Sequence, residues 1–141
     1  MPKMIFVNLP VADLAKATAF YERIGAAKNP QFSDETASCM VLSDTIFVML
    51  LTHQKFSQFT PKKIADARTT SEVLIALSAE SRDGVDETVG NAADGGRLDP
   101  TPKQDFGFMY SRSFEDPDGH IWEVVWMDVE AATKAGDAAA A

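Results

Sequence analysis

The chain has 141 residues, 45% of them hydrophobic, which is enough for one domain with a real core and too few for two ordinary ones. A formal charge of -8 with scattered lysines and arginines excludes a surface for the nucleic-acid backbone, which needs clustered cations, so no nucleic-acid partner is expected. No run of about 18 or more apolar residues occurs and "MPKMIFVNLP" lacks the layout of a secretory signal, so a soluble, cytoplasmic protein with no membrane partner is expected.

The first element is an apolar strand in "MIFVNLPV". Asp13 then caps a helix carrying Leu14, Ala17, Tyr21 and Ile24 at helical spacing, and Gly25 ends it. Three β-type runs follow, "KNPQFS", "ASCMVLS" and "TIFVMLLT", separated by Ser33-Asp34-Glu35 and Ser43-Asp44, both suited to turns. The lone Cys39 lies in the second run and reads as a buried, inert thiol. One cysteine excludes an intramolecular disulfide and a thiolate zinc cluster within one chain.

A polar and basic stretch, "HQKFSQFTPKKIADAR", reads as a linker with a short helix, anchored by Phe56 and Phe59. Its adjacent Lys62 and Lys63 read as a solvated patch rather than an anion site. The segment "EVLIALSAESRDGVDETVGNAADGG" then repeats the opening order: a strand, Ser81 as helix cap, Val85, Val89 and Ala92 on one helical face, and Gly95-Gly96. The runs "GRLDPTP", "FGFMYSRSF" and "HIWEVVWMD" complete this half, the last two joined by the turn Asp116-Pro117-Asp118-Gly119.

Each half therefore reads βαβββ, and the chain reads as a duplication. Residues 1–128 form a single domain, with module one at about 3–52, the linker at 53–69 and module two at about 70–128. Residues 129–141 have helix formers but little to bury and read as a flexible tail. The fold class reads as α+β, with paired βαβββ modules.

Two such modules, "NLPVADLAKATAFYERIGA" near the start and "FEDPDGHIWEVVW" near the end, resemble the vicinal oxygen chelate superfamily. It includes glyoxalase I, extradiol dioxygenases, fosfomycin-resistance thiol transferases and bleomycin-resistance binding proteins. The resemblance covers roughly residues 3 to 128 and implies that the paired βαβββ modules form a cup-shaped mixed sheet with helices on its outer face, with four ligand positions on facing strands of the cup. Carried over one by one, these fall on Phe6, Leu50, Leu74 and Glu123. Three are apolar and offer no lone pair, so the resemblance implies no metal at the usual place and no cofactor. Asn8, Glu72 and Ser78 lie at even offsets, on the same strand faces, but would need a different geometry. His120 and His53 sit at odd offsets from Glu123 and Leu50, which sends them away from the cup.

Glu123 is a carboxylate in an otherwise apolar strand, exposed at a rim, paired with a cation or kept protonated. Arg112 is its natural partner across the hairpin. As a general base it would abstract a proton next to a carbonyl, with Arg112, Tyr110 or Asn8 to stabilise the enolate. The aromatics Phe6, Phe106, Phe108, Tyr110, Phe114, Trp122 and Trp126 line a pocket or fill the core.

The expected function is metal-independent binding of a small aromatic or amphipathic molecule, with Phe6, Asn8, Leu50, Leu74, Tyr110, Arg112 and Glu123 lining the pocket. A glyoxalase-like lyase or isomerase using Glu123 or a displaced metal site is the alternative, a dioxygenase a remoter one. The resemblance further implies a homodimer whose cup combines Phe6 and Leu50 of one chain with Leu74 and Glu123 of the other.

Overall fold

The computed structural model describes residues 2–140; Met1 and Ala141, the outermost positions of the expected domain and tail, lie outside the described residues. The first half runs β1 (Ile5–Val11), α1 (Leu14–Arg23), β2 (Ala27–Asn29), β3 (Ala37–Val41) and β4 (Ile46–Thr52). Its sheet has the order β1-β4-β3-β2, with β1 parallel to β4 and the other pairs antiparallel. A short helix, α2 (His53–Phe56), opens the linker.

The second half runs β5 (Ile75–Ser78), α3 (Arg82–Asn91), β6 (Arg97–Leu98), β7 (Gln104–Asp105), β8 (Met109–Glu115) and β9 (Ile121–Met127). Its sheet has the order β5-β9-β8-β6, β7 also pairing with β8, and β5 is parallel to β9. The fold is thus α+β with two mixed sheets: the first half is βαβββ as expected, and the second keeps that plan but gains the extra short strand β7. Residues 129–140, read from sequence as a tail, form a helix, α4 (Val129–Ala140). No helix among the described residues is long and apolar enough to cross a membrane.

Both helix caps form as the sequence requires. Asp13 accepts the Lys16 N–H at 3.0 Å and Ser81 Oγ accepts the Gly84 N–H at 2.9 Å, satisfying donors that have no partner within the helix. Two expected strands are shorter than read. "KNPQFS" stays extended only to Asn29, because Pro30 has no N–H to give a ladder and starts a 3-10 turn at Pro30–Phe32. "GRLDPTP" pairs only at Arg97–Leu98, after which Asp99 takes φ 49° and Pro100 follows. The polar "QD" of β7 carries no hydrophobic alternation that would have announced it.

Leu9, Val11, Val48 and Leu50 from the first sheet and Phe114, Trp122 and Val124 from the second meet in one core, together with Phe20 and Tyr21 of α1 and Val85 and Val89 of α3. Phe20 packs on Phe114 with ring centroids 5.8 Å apart, and Tyr21 on Trp122 at 6.0 Å. Each such fully buried large apolar side chain contributes about 1.5–3 kcal/mol. Because the helix-covered faces of both sheets meet here, their opposite faces point outward.

Candidate functional site

Strand alternation decides what those outward faces carry. Parallel pairing sets Phe6 beside Phe47, Asn8 beside Met49 and Leu9 beside Leu50. Leu9 and Leu50 lie in the core, so Phe6, Asn8, Phe47 and Met49 belong to the outer face. Phe6 remains 49% exposed and stacks on Phe47 at 4.8 Å with an interplanar angle of 12°. In the second sheet Trp122 and Val124 are buried, which turns Glu123 outward with Ala76 and Ser113 beside it. Glu123 is half-buried, and among the described residues it has no ion-pair partner. Leu74 immediately precedes β5 and is exposed.

Phe6, Asn8 and Glu123 therefore stand on outer faces, whereas Leu50, Tyr110 and Arg112 do not. Leu50 is fully buried against the helices, one residue out of phase with the outward positions of β4. Tyr110 pairs with Trp126 and Arg112 with Val124, on the core side of β8.

The expected Glu123–Arg112 pair is corrected by this register, because the residue opposite Glu123 is Ser113. Arg112 instead grips Asp99 through Nε at 3.1 Å and Nη2 at 2.7 Å, and donates from Nη1 to Asp86 at 3.0 Å. The Arg112 hydrogen bonds hold the Asp99 carboxyl below the usual carboxylate range. Hydrogen bonds from the Tyr110 hydroxyl, 2.7 Å away, and then from Arg112 do the same for Asp86.

The two stretches that carry the family resemblance touch each other. The Ala12 N–H donates to Asp118 Oδ1 at 2.8 Å, and His120 Nε2 lies 2.8 Å from the Pro10 carbonyl oxygen. A carbonyl only accepts, so His120 carries its proton on Nε2. That bond holds His120 in the turn before β9, away from Glu123, while His53 begins α2.

Below this contact the buried Asp116 accepts from the Tyr21 hydroxyl at 2.6 Å and from the backbone N–H groups of Asp118 and His120, both at 2.9 Å. Trp122 Nε1–H donates to Tyr21 at 2.9 Å. Cys39 is buried, and that burial pushes its thiol pKa up.

The linker opens with the expected short helix and Phe56 is partly buried, whereas Phe59, expected as a second anchor, is 68% exposed. Further on, the linker packs against the turn before β9. Gly119 adopts φ +92°, and a side chain there would place its Cβ 2.8 Å from the Arg68 backbone nitrogen. Arg68 Nη2 also donates to the Pro117 carbonyl at 3.0 Å. Between this linker and the strands β1 and β9 a cavity of about 270 Å³ opens, reaching Asn8, Phe56, Ile64 and Ile121.

Among the described residues no three His, Cys, Asp or Glu side chains cluster as a metal site would require. At the carried-over positions and their outward neighbours the oxygen donors are the Glu123 carboxylate, the Asn8 amide and the hydroxyls of Ser78 and Ser113. One carboxylate, with an amide on the other sheet and neutral hydroxyls, does not fit the ligand set of a divalent ion.

A family model described as Glyoxalase/Bleomycin resistance protein/Dioxygenase superfamily matches residues 3–124. The chain belongs to this superfamily. Solved structures agree with the fold of a glyoxalase-superfamily domain. Hypothetical protein SA1046 from S. aureus is 25% identical with a TM-score of 0.73, the match covering 89% of this chain and 95% of that one. A glyoxalase/bleomycin resistance protein/dioxygenase family enzyme from Burkholderia phytofirmans PsJN is 16% identical with a TM-score of 0.71, covering 89% and 99%. The fosfomycin resistance protein FosX from Listeria monocytogenes is 21% identical with a TM-score of 0.65, covering 92% and 97%. No curated protein matches in sequence.

Proposed function

We propose that this superfamily member is a metal-independent binder of a small aromatic or amphipathic molecule, held in an apolar cup that two copies of the chain complete. The observation that carries this reading is the outward Phe6–Phe47 stack with Met49 beside it, on a face of the first sheet where Asn8 is the adjacent strand's oxygen donor and no carboxylate stands among these residues. An exposed aromatic surface of this kind offers a flat ligand stacking area and offers a metal ion nothing.

Two features support a homodimer. β1 and β5 are edge strands, and exposed Met4, Ile5 and Phe6 flank one while Val73 and Leu74 flank the other. An unpaired edge beside exposed apolar side chains is a surface for another chain. A cup built this way sets Phe6 of one protomer against Leu74 and Glu123 of its partner.

The test is metal content by mass spectrometry on protein purified without an affinity tag, followed by re-addition of zinc, nickel, manganese and iron(II). The expected result is no ion above background and none retained. One tightly bound ion per chain or per cup overturns the proposal and moves metal-dependent chemistry ahead.

A lyase or isomerase of the glyoxalase type is the second reading, favoured by a Glu123 that faces outward without a cation partner. In that role Glu123 removes a proton next to a carbonyl. Tyr110 and Arg112 lie on the opposite face of β8, so Asn8 is the remaining candidate to stabilise the enolate. This lack of stabilising donors places the binding reading first.

A further inference from the structure

We infer that the cavity under the linker is a binding site for a small organic anion with an apolar body. It is formed within one chain, walled mainly by the linker, and it adjoins the proposed cup at Asn8 and at Val73 beside the edge of β5. Its walls include Phe56, Ile64, Val73, Ile75 and Ile121, which offer a ligand body an apolar bed. Its polar side is cationic: Lys62 and Lys63 both line it, with the hydroxyl-bearing Thr60, Thr70 and Ser71. Glu72 is the one carboxylate in the lining.

In a chain whose formal charge is -8, two adjacent lysines at one cavity reverse the local sign. Among the described residues neither lysine has an ion-pair partner. Each ammonium has three donors on a flexible stem, which suits a carboxylate or a phosphonate without demanding one geometry.

The wall that carries the lysines is anchored. The Thr60 hydroxyl oxygen accepts the Lys62 N–H at 3.1 Å, and Asp66 accepts the Arg68 N–H at 3.0 Å and the Thr70 hydroxyl at its backbone oxygen at 2.8 Å. Gly119 lets the linker approach the turn closely, and Arg68 fastens it to Pro117. The volume, about 270 Å³, is just below the roughly 300–1,000 Å³ of drug-sized sites. It therefore accepts a one-ring or short-chain acid.

The experiment titrates the isotopically labelled full chain with 3-phenylpropionate, phenylphosphonate and the neutral 3-phenylpropionamide, following backbone amide shifts. At least one anion is expected to shift Lys62, Lys63 and Ser71 and to bind roughly tenfold more tightly than the amide, a preference that shrinks with added salt. Which anion binds better separates carboxylate from phosphonate recognition. Lys62→Gln with Lys63→Gln should abolish the preference, and because both side chains are exposed the melting temperature should not change.

Equal binding of anion and amide, no shift at millimolar concentration, or a preference that survives the double substitution overturns the site. Shifts confined to Phe6, Phe47 and Glu123 also overturn it and speak for the cup instead. The cup proposal is tested separately, by metal content and by oligomeric state.

Discussion

The Tyr21 hydroxyl, on the helix of the first module, donates a 2.6 Å hydrogen bond to the buried Asp116 in the turn of the second, and accepts one from Trp122. Burial, reinforced by the nearby Asp116 charge, raises the Tyr21 pKa well above its ordinary value, so the phenol stays a donor throughout the physiological range. Tyr21→Phe keeps the ring packing and removes the hydroxyl that joins the modules. It leaves Trp122 Nε1–H and one Asp116 oxygen short of a partner, at a cost of about 2 kcal/mol. Urea unfolding measures this, and a loss below about 0.5 kcal/mol would mean that water replaces the hydroxyl without penalty.

Asp116 sets a pH dependence of definite sign. Burial raises its pKa above the ordinary carboxylate value, against the opposing pull of His120 and the Tyr21 hydrogen bond. Between the unfolded value of about 4 and the raised native value, the native state binds more protons than the unfolded one. Stability contributed by the protonated form is complete below that window and is lost as pH rises through it. Asp116→Asn should remove this decline from a series of unfolding curves; an unchanged slope would show that the carboxyl titrates normally.

Arg112 has the opposite linkage. Asp99 and Asp86 both have lowered pKa values, so their contribution is present above about pH 4 and is lost as pH falls through their native values. Arg112→Met leaves both carboxylates without their cation. Arg112 is 12% exposed but Asp86 is 50% exposed, so solvent screening reduces the usual penalty for breaking a buried pair to roughly 2 kcal/mol. The variant should also lose part of the wild type's destabilisation in acid. A cost that is the same at pH 3 as at pH 7 would contradict this assignment.

The division between what the sequence showed and what it hid follows strand parity. Asp13, Ser81 and the Asp116–Gly119 turn declared their elements through local chemistry, and the family resemblance rested on stretches that do meet, at Pro10–His120 and Ala12–Asp118. Leu50 was unreadable because "VMLLT" is apolar on both faces, so no alternation marks which leucine turns inward. Arg112 was paired with Glu123 on strand proximity alone, whereas the hairpin register faces Glu123 with Ser113, and a one-residue difference sends the side chain to the other side. The cavity was hidden for another reason: a polar linker looks solvated until Gly119 is seen to bring Arg68 against the turn.

The cup needs a second copy, and Phe6 is the residue to test it with. At 49% exposed in one chain, it contributes little to the monomer core, so Phe6→Arg should preserve the fold while placing a charge on the proposed interface. Sedimentation at micromolar concentration should find a wild-type dimer and a monomeric variant. A wild-type monomer would sink the two-chain cup.

Glu123→Gln separates binding from catalysis. The substitution keeps shape and hydrogen-bonding capacity while removing a charge that has no cation partner among the described residues, so stability should change by no more than about 0.5 kcal/mol. A cup that only binds an uncharged aromatic ligand loses nothing by it, and affinity should hold or improve because no carboxylate must be desolvated. A general base is different: its removal lowers turnover by about 10²–10⁴-fold with substrate affinity largely kept. The decisive comparison is ligand affinity by calorimetry alongside turnover of α-hydroxythioester or hemithioacetal substrates in both proteins. Unchanged affinity with no turnover in either leaves a binding protein, whereas wild-type turnover that collapses in Glu123→Gln would make the lyase or isomerase reading the correct one.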